Sequence, residues 1–224
     1  IVLFSVLIFR FPVDTQVEAA YKLNMGKTYQ NSEKLPTDIC QWLERALPMG
    51  QREQLSLATS VKGLSDQFQI HTTTPWGDPS FEKAYLCYFF PLNVLRIMKV
   101  YQRLLKLNFF DGIDTIIDFG SGPGTAGFAA SSEMSVSNYY CYEKDKKAVD
   151  NHRQLRSHIS DGFSEVDWIS LAAFKSRSQQ ENVLTLFSYS LNELDQAPSW
   201  IFQSKNLLIV EPSTHQVSRK LLQL

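Results

Sequence analysis

"IIDFGSGPGTAGFAA", Ile116 to Ala130, decides the fold. A β-branched run ends in an acid, three glycines follow at alternate positions, and small residues lead into an apolar helix. Strand, glycine loop and helix in that order open a doubly wound α/β domain. Glycine is needed where backbone must approach a ligand or take positive φ, and the helix N-terminus beyond the loop offers free N–H groups to acceptor atoms. A polar ligand is therefore expected at the loop.

Four more strands are legible downstream of "DTIIDF" (114–119): "NYYCYEKD" (138–145), "SEVDWI" (164–169), "NVLTLFSYS" (182–190) and "NLLIVEP" (206–212). Helical stretches such as Lys146 to Ile159 separate them, so the five predict a parallel sheet. In a dinucleotide fingerprint, G-x-G-x-x-G, the third glycine would fall on Thr125, but it sits one earlier at Gly124. The spacing G-x-G-x-G, with Asp118 closing the strand and Pro123 stiffening the turn, resembles motif I of S-adenosylmethionine-dependent methyltransferases. That resemblance implies cofactor contacts from Asp118, Gly120, Ser121, Gly122, Gly124 and Thr125. Glu143, nineteen residues after Gly124 at the end of the next strand, is then the acid that accepts hydrogen bonds from the ribose hydroxyls.

Position extends the site. Asp167 and Trp168, at the expected end of the third strand, are placed to meet adenine, the alternatives being a turn for the acid and core packing for the indole. Ser188, Tyr189, Asn192 and Glu193 follow strand four, at the carboxyl edge where substrate meets ligand in open α/β folds. Ser188 is assigned to the cofactor. Asn192 and Glu193 are the catalytic candidates, though either could simply cap a following helix.

Upstream the pattern is helical. "LPTDICQWLERAL" (35–47) carries Ile39, Trp42, Leu43, Ala46 and Leu47 at amphipathic spacing, and a second helix is expected from Gln51 to Phe68. "HTTTPWGDPS" (71–80) reads as a loop, followed by two helices hinged at Pro91. Arg96, Lys99, Arg103 and Lys106 line one side of the last helix, where they could grip phosphate or form a solvated face. The expected organisation is a tail (1–30), a small all-helical domain (31–112) and the α/β domain (113–224). The opening "IVLFSVLIF" is about half the roughly 20 residues needed to span a bilayer. Because Met25 resembles a natural start, residues 1–24 are expected to lie outside the working fold, the alternative being a buried strand or helix turn over Val2 to Phe9.

The composition is that of a folded globular protein, 44% hydrophobic and 20% charged, with a net charge of -1. Such a balance exerts no global pull on nucleic acid or membrane, so any polyanion site must be local. Cys40, Cys87 and Cys141 are too far apart for a C-x-x-C metal site, and their odd number argues against a disulfide framework. No metal is expected.

"DFGSGPGT", "SYSLNEL" and "LLIVEPST", with the helical stretches "LPTDICQWLERAL" and "AYLCYFFPLNVLRIMKVYQRL", resemble the methyltransferase-like family of the small ribosomal subunit, found in mitochondria (methyltransferase-like protein 17) and in bacteria. The similarity runs from about Leu35 to the end. It implies a Rossmann-like methyltransferase sheet that binds S-adenosylmethionine and engages small-subunit ribosomal RNA or the small ribosomal subunit during assembly or translation. The setting would be the bacterial cytoplasm or the mitochondrial matrix. Two departures stand out. Family members carry clustered cysteines beyond strand five, which this chain lacks, and a full methyltransferase sheet has further strands there, so the sheet is expected to be truncated. "SYSLNEL" also differs from the Asn/Asp-Pro-Pro-aromatic run of amino-directed nucleic-acid enzymes. Three readings follow: an RNA methyltransferase, a ribosome-docking protein that keeps the cofactor fold without turnover, and a small-molecule methyltransferase with a helical lid.

Overall fold

A computed structural model describes residues 5–11, 35–47, 50–70, 73–160, 162–163, 165–194, 196 and 198–212. Its centre is strand β2, Thr115–Phe119, buried along its whole length. We number strands and helices in chain order: β1 is Ser5–Phe11, β3 Asn138–Tyr142, β4 Glu165–Trp168, β5 Val183–Ser188 and β6 Asn206–Pro212. All pairings are parallel, and the sheet order is β1-β6-β5-β2-β3-β4. The five expected strands are all present, in a Rossmann-like α/β sheet. Chain order runs one way from β2 through β3 to β4 and the other way from β5 to β6. The crevice above the carboxyl end of β2 is thus the topological switch point, where open α/β sheets bind ligands.

The amino-terminal expectation needs correction. The sequence alone sets residues 1–24 outside the fold; instead Ser5–Phe11 forms the edge strand beside β6, from Ser5 opposite Asn206 to Phe11 opposite Pro212. Its apolar, β-branched run suits a strand, and the free backbone groups along β6 supply the partner. The helical segment therefore enters the chain between two strands of one sheet.

That segment comprises α1 (Thr37–Ala46), α2 (Gln51–Ile70), α3 (Pro79–Ala84), a π-helical turn (Tyr85–Phe89) and α4 (Phe90–Leu105). Asp78 caps α3 by accepting hydrogen bonds from the amides of Ser80 and Phe81. Pro91 is not a hinge between two separate helices. It sits in the first turn of α4, and the preceding π-helical turn accommodates its missing N–H without ending the run.

Helices cover both faces of the sheet. On one face, α4 lies against α5 (Thr125–Glu133), with α6 (Lys146–Arg156) beyond. Ile39 of α1, seven apolar residues of α4, and Phe128, Tyr139 and Leu184 share a single core there. Phe90 links the helical segment to α5, its ring edge-on to Trp42 at 6.2 Å and to Phe128 at 5.5 Å. The expected boundary at residue 112 therefore cuts through one core. Among the described residues of the helical segment, Val61, Leu64 and Ala84 form a buried cluster of their own. The opposite face packs Ile117, Phe119, Phe187 and Ile209 under α7 (Leu171–Arg177) and the 3-10 turn Ser199–Gln203.

Candidate cofactor site

The loop between β2 and α5 is set by its backbone. Gly120 and Ser121 donate to the carbonyl of Tyr142, and Gly124 donates to that of Ser121, turning the chain into α5. Gly124 has φ +80°, and a Cβ there would lie 2.2 Å from Nε2 of the buried His152, so this glycine is needed for packing. Gly122, at φ +53°, differs: the nearest atom to a Cβ would be the Trp76 ring at 3.8 Å. Packing does not demand this glycine, since a side chain there would meet only an ordinary contact.

Two acids lie at this loop. Asp118 is 1% exposed beneath it and accepts a hydrogen bond from the Tyr139 hydroxyl. Burial pushes its carboxyl up to about 7; the Tyr139 bond opposes the shift and the Glu143 charge adds to it. Glu143, just past β3, accepts from the Gly122 amide at 2.9 Å through Oε2 and from the Asp145 amide at 2.9 Å through Oε1. Glu143, assigned from the sequence to the ribose hydroxyls, thus bonds directly to the glycine loop.

Asp118 Oδ1, Ser121 Oγ and Ser190 Oγ are buried with no hydrogen-bond partner among the described residues. Buried polar groups are normally paired, and these three lie under or beside one loop. Orphaned acceptors and hydroxyls, a bare glycine face and an acid at the neighbouring strand end form a donor and acceptor set that fits S-adenosylmethionine.

The helical segment closes over the loop. Thr74 donates to Glu193 Oε1 twice, from its amide at 3.3 Å and its hydroxyl at 3.1 Å. Trp76, 8% exposed, stacks obliquely on Tyr85 at 4.8 Å and faces Gly122. Burial pushes Glu193 up to about 7; the Thr74 bonds act against the shift and the Glu143 charge adds to it. Burial also raises the Tyr85 hydroxyl, with Glu193 contributing. Tyr189 follows β5 with φ +57°, a left-handed conformation rare for a residue with a large side chain.

The sequence-assigned residues separate into two groups. Gly120, Ser121, Gly122, Gly124 and Thr125 form the loop and the start of α5, with Asp118 beneath and Glu143 bonded to it. Ser188 ends β5, one step beyond the pairing of Phe119 with Phe187 and so level with Gly120. Glu193 lies in the 3-10 turn Leu191–Glu193; the side chain of Asn192, in the same turn, lies outside the described residues. Asp167 and Trp168 are the last two residues of β4, as expected, paired with Tyr140 and Cys141 and so level with Ile117 and Asp118 of β2. The Trp168 indole packs edge-on to His152 at 5.3 Å, with Arg153 over its ring, which is the core packing weighed as its alternative.

The cationic stripe also divides. Lys99, Arg103 and Lys106 are exposed, whereas Arg96 is half-buried and donates to Asn93 Oδ1 at 3.1 Å. Its charge faces the Tyr189 hydroxyl and opposes the rise that burial causes there. Thr74, Trp76, Tyr85 and Ser190 lie at the loop or against Glu193, and sequence reasoning missed them. The only signal was a tryptophan inside an otherwise polar loop.

Among the described residues no group of His, Cys, Asp and Glu could hold a metal ion, and no helix is long and apolar enough to cross a membrane.

No family model matches the chain, and no curated protein does. Solved structures do. One is a candidate RNA methyltransferase from Pyrococcus horikoshii, 16% identical, with a TM-score of 0.37, covering 55% of this chain and 63% of that one. Another is YjhP from E. coli, 14% identical, with a TM-score of 0.38, covering 55% and 54%. The chain spans less than two thirds of either protein, and likeness at this level bears on neither activity nor substrate.

Proposed function

We propose that the chain is an S-adenosylmethionine-dependent methyltransferase acting on RNA, and specifically on RNA of the small ribosomal subunit. The observation that carries the cofactor half is the contact of Glu143 with the Gly122 amide at the switch point of the sheet. Asp118, Ser121, Gly122 and Glu143 would hold the cofactor, which supplies a sulfonium methyl group. Trp76 shields the loop from water, and much of the rate gain in such a pocket comes from holding the reactants in line. Glu193, at the substrate edge of β5, takes the proton that the methylated nitrogen or oxygen loses. A carboxyl held near neutrality suits that task. The RNA half rests on the family resemblance of "SYSLNEL" and the helical segment, supported by Lys99, Arg103 and Lys106 exposed on α4.

One observation favours a second reading. Gly122 and Glu143 already satisfy one another, and Trp76 already covers the loop, so the site is closed by its own groups as in a protein that docks on the ribosome without turnover. Incubation with methyl-labelled cofactor and undermethylated small-subunit RNA separates the two. Label in the RNA supports the enzyme; cofactor binding without label supports the docking protein.

A further inference from the structure

Glu193 and Thr74 are 119 residues apart in sequence, yet both donors of Thr74 converge on a single oxygen of that carboxyl. Two bonds to Oε1 fix the carboxyl plane. Oε2 accepts no hydrogen bond among the described residues. The Thr74 hydroxyl and amide, the Tyr85 hydroxyl, the Glu143 carboxylate and the Lys144 ammonium are the groups that face Glu193. Of these, Thr74 alone is hydrogen-bonded to it among the described residues.

We propose that Thr74 is a positioning residue for Glu193, holding Oε1 so that Oε2 is presented to the substrate atom that loses a proton. The inference rests on the methyltransferase reading and adds that the helical segment supplies part of the reacting site. The proton passes from substrate nitrogen or oxygen to Oε2 as the new bond to carbon forms. Without Thr74 the carboxyl can rotate, and a bond that favours its charged form is lost. The proton-accepting state would then be reached only at higher pH.

The test uses the full chain with carboxyl-labelled glutamate, the Glu193 resonance being identified by its loss in Glu193→Gln. Thr74→Val removes the hydroxyl and keeps the amide and shape; Thr74→Ser keeps both donors; Thr74→Ala serves if the valine variant does not fold. The expected result is a Glu193 titration midpoint raised by about one pH unit in Thr74→Val, with the alkaline-going limb of the methyl-transfer profile moving equally. Both should return to wild-type values in Thr74→Ser. Unchanged midpoints in Thr74→Val and Thr74→Ala overturn the proposal, as does a midpoint that moves while the rate profile stays fixed. Wild-type protein that transfers no methyl group, with the midpoint still sensitive to Thr74, overturns the enzymatic reading and the positioning role with it, leaving only the contact.

Discussion

Alanine at Gly124 and alanine at Gly122 should have opposite consequences, although both glycines belong to one loop. Each position has positive φ, which costs an L-residue about 1–2 kcal/mol. At Gly124 the new methyl group would also fall 2.2 Å from the His152 ring, which is buried against Phe128, Tyr139 and Trp168 and cannot swing away. Overpacking of that kind adds about 1–3 kcal/mol, so Gly124→Ala should lose roughly 2–5 kcal/mol of stability. At Gly122 the nearest atom is 3.8 Å away, an ordinary contact, so only the conformational cost of about 1–2 kcal/mol applies. The methyl group there enters the space assigned to the ligand. Urea unfolding of the two variants, beside S-adenosylhomocysteine binding, resolves the roles. Gly122→Ala should remain folded and bind poorly, and Gly124→Ala should unfold at much lower urea. Equal destabilisation of the two, or undiminished binding by Gly122→Ala, would show that the loop has been assigned wrongly.

The raised Glu193 carboxyl has a pH signature. Its native form keeps a proton that the unfolded chain loses between about pH 4.5 and 7, so its contribution is complete below that window and lost as pH rises through 7. Glu193→Gln should therefore gain about 3 kcal/mol relative to wild type between pH 4 and pH 8, by urea unfolding at each pH; a difference that does not vary with pH contradicts the burial argument. For RNA, Arg103→Glu with Lys106→Glu should weaken binding to small-subunit RNA and flatten its salt dependence, each lost phosphate contact removing about 0.7–0.9 from the logarithmic slope. Arg96→Glu should instead perturb the fold around Tyr189, because that cation is turned inward; a purely RNA-specific effect of Arg96→Glu in filter binding and thermal melting would restore it to the stripe.

The glycine loop and its five strands were legible because glycine spacing and β-branched runs are local signals. Glu143 was legible because the acid follows a strand beside β2. β1 was not, since a short apolar run satisfies several structures and its partner β6 lies at the far end of the chain. The helical boundary failed for a related reason. An amphipathic stripe shows that Ile39 and Phe90 are buried, but not that they are buried against α5. Asp167 and Trp168 do end β4 as expected, but the packing of the indole on His152 is a tertiary contact that position along a strand cannot show. Arg96 shares the helical angle of Lys99 and Arg103, yet its long side chain turns to Asn93, which periodicity cannot show. Glu193 could be found by its place after β5, whereas Thr74 could not, because only the folded chain brings it there.

Calorimetric titration of S-adenosylhomocysteine into the wild-type chain and into Glu143→Ala tests the cofactor assignment most directly. Glu143 should contribute about 1.5–3 kcal/mol through hydrogen bonds to a charged group, a weakening of roughly 10- to 150-fold on its removal. The expected result is one site in the wild type, that loss in Glu143→Ala, and no heat with NAD. No binding to wild-type protein, equal binding to Glu143→Ala, or NAD taken up instead would contradict the assignment.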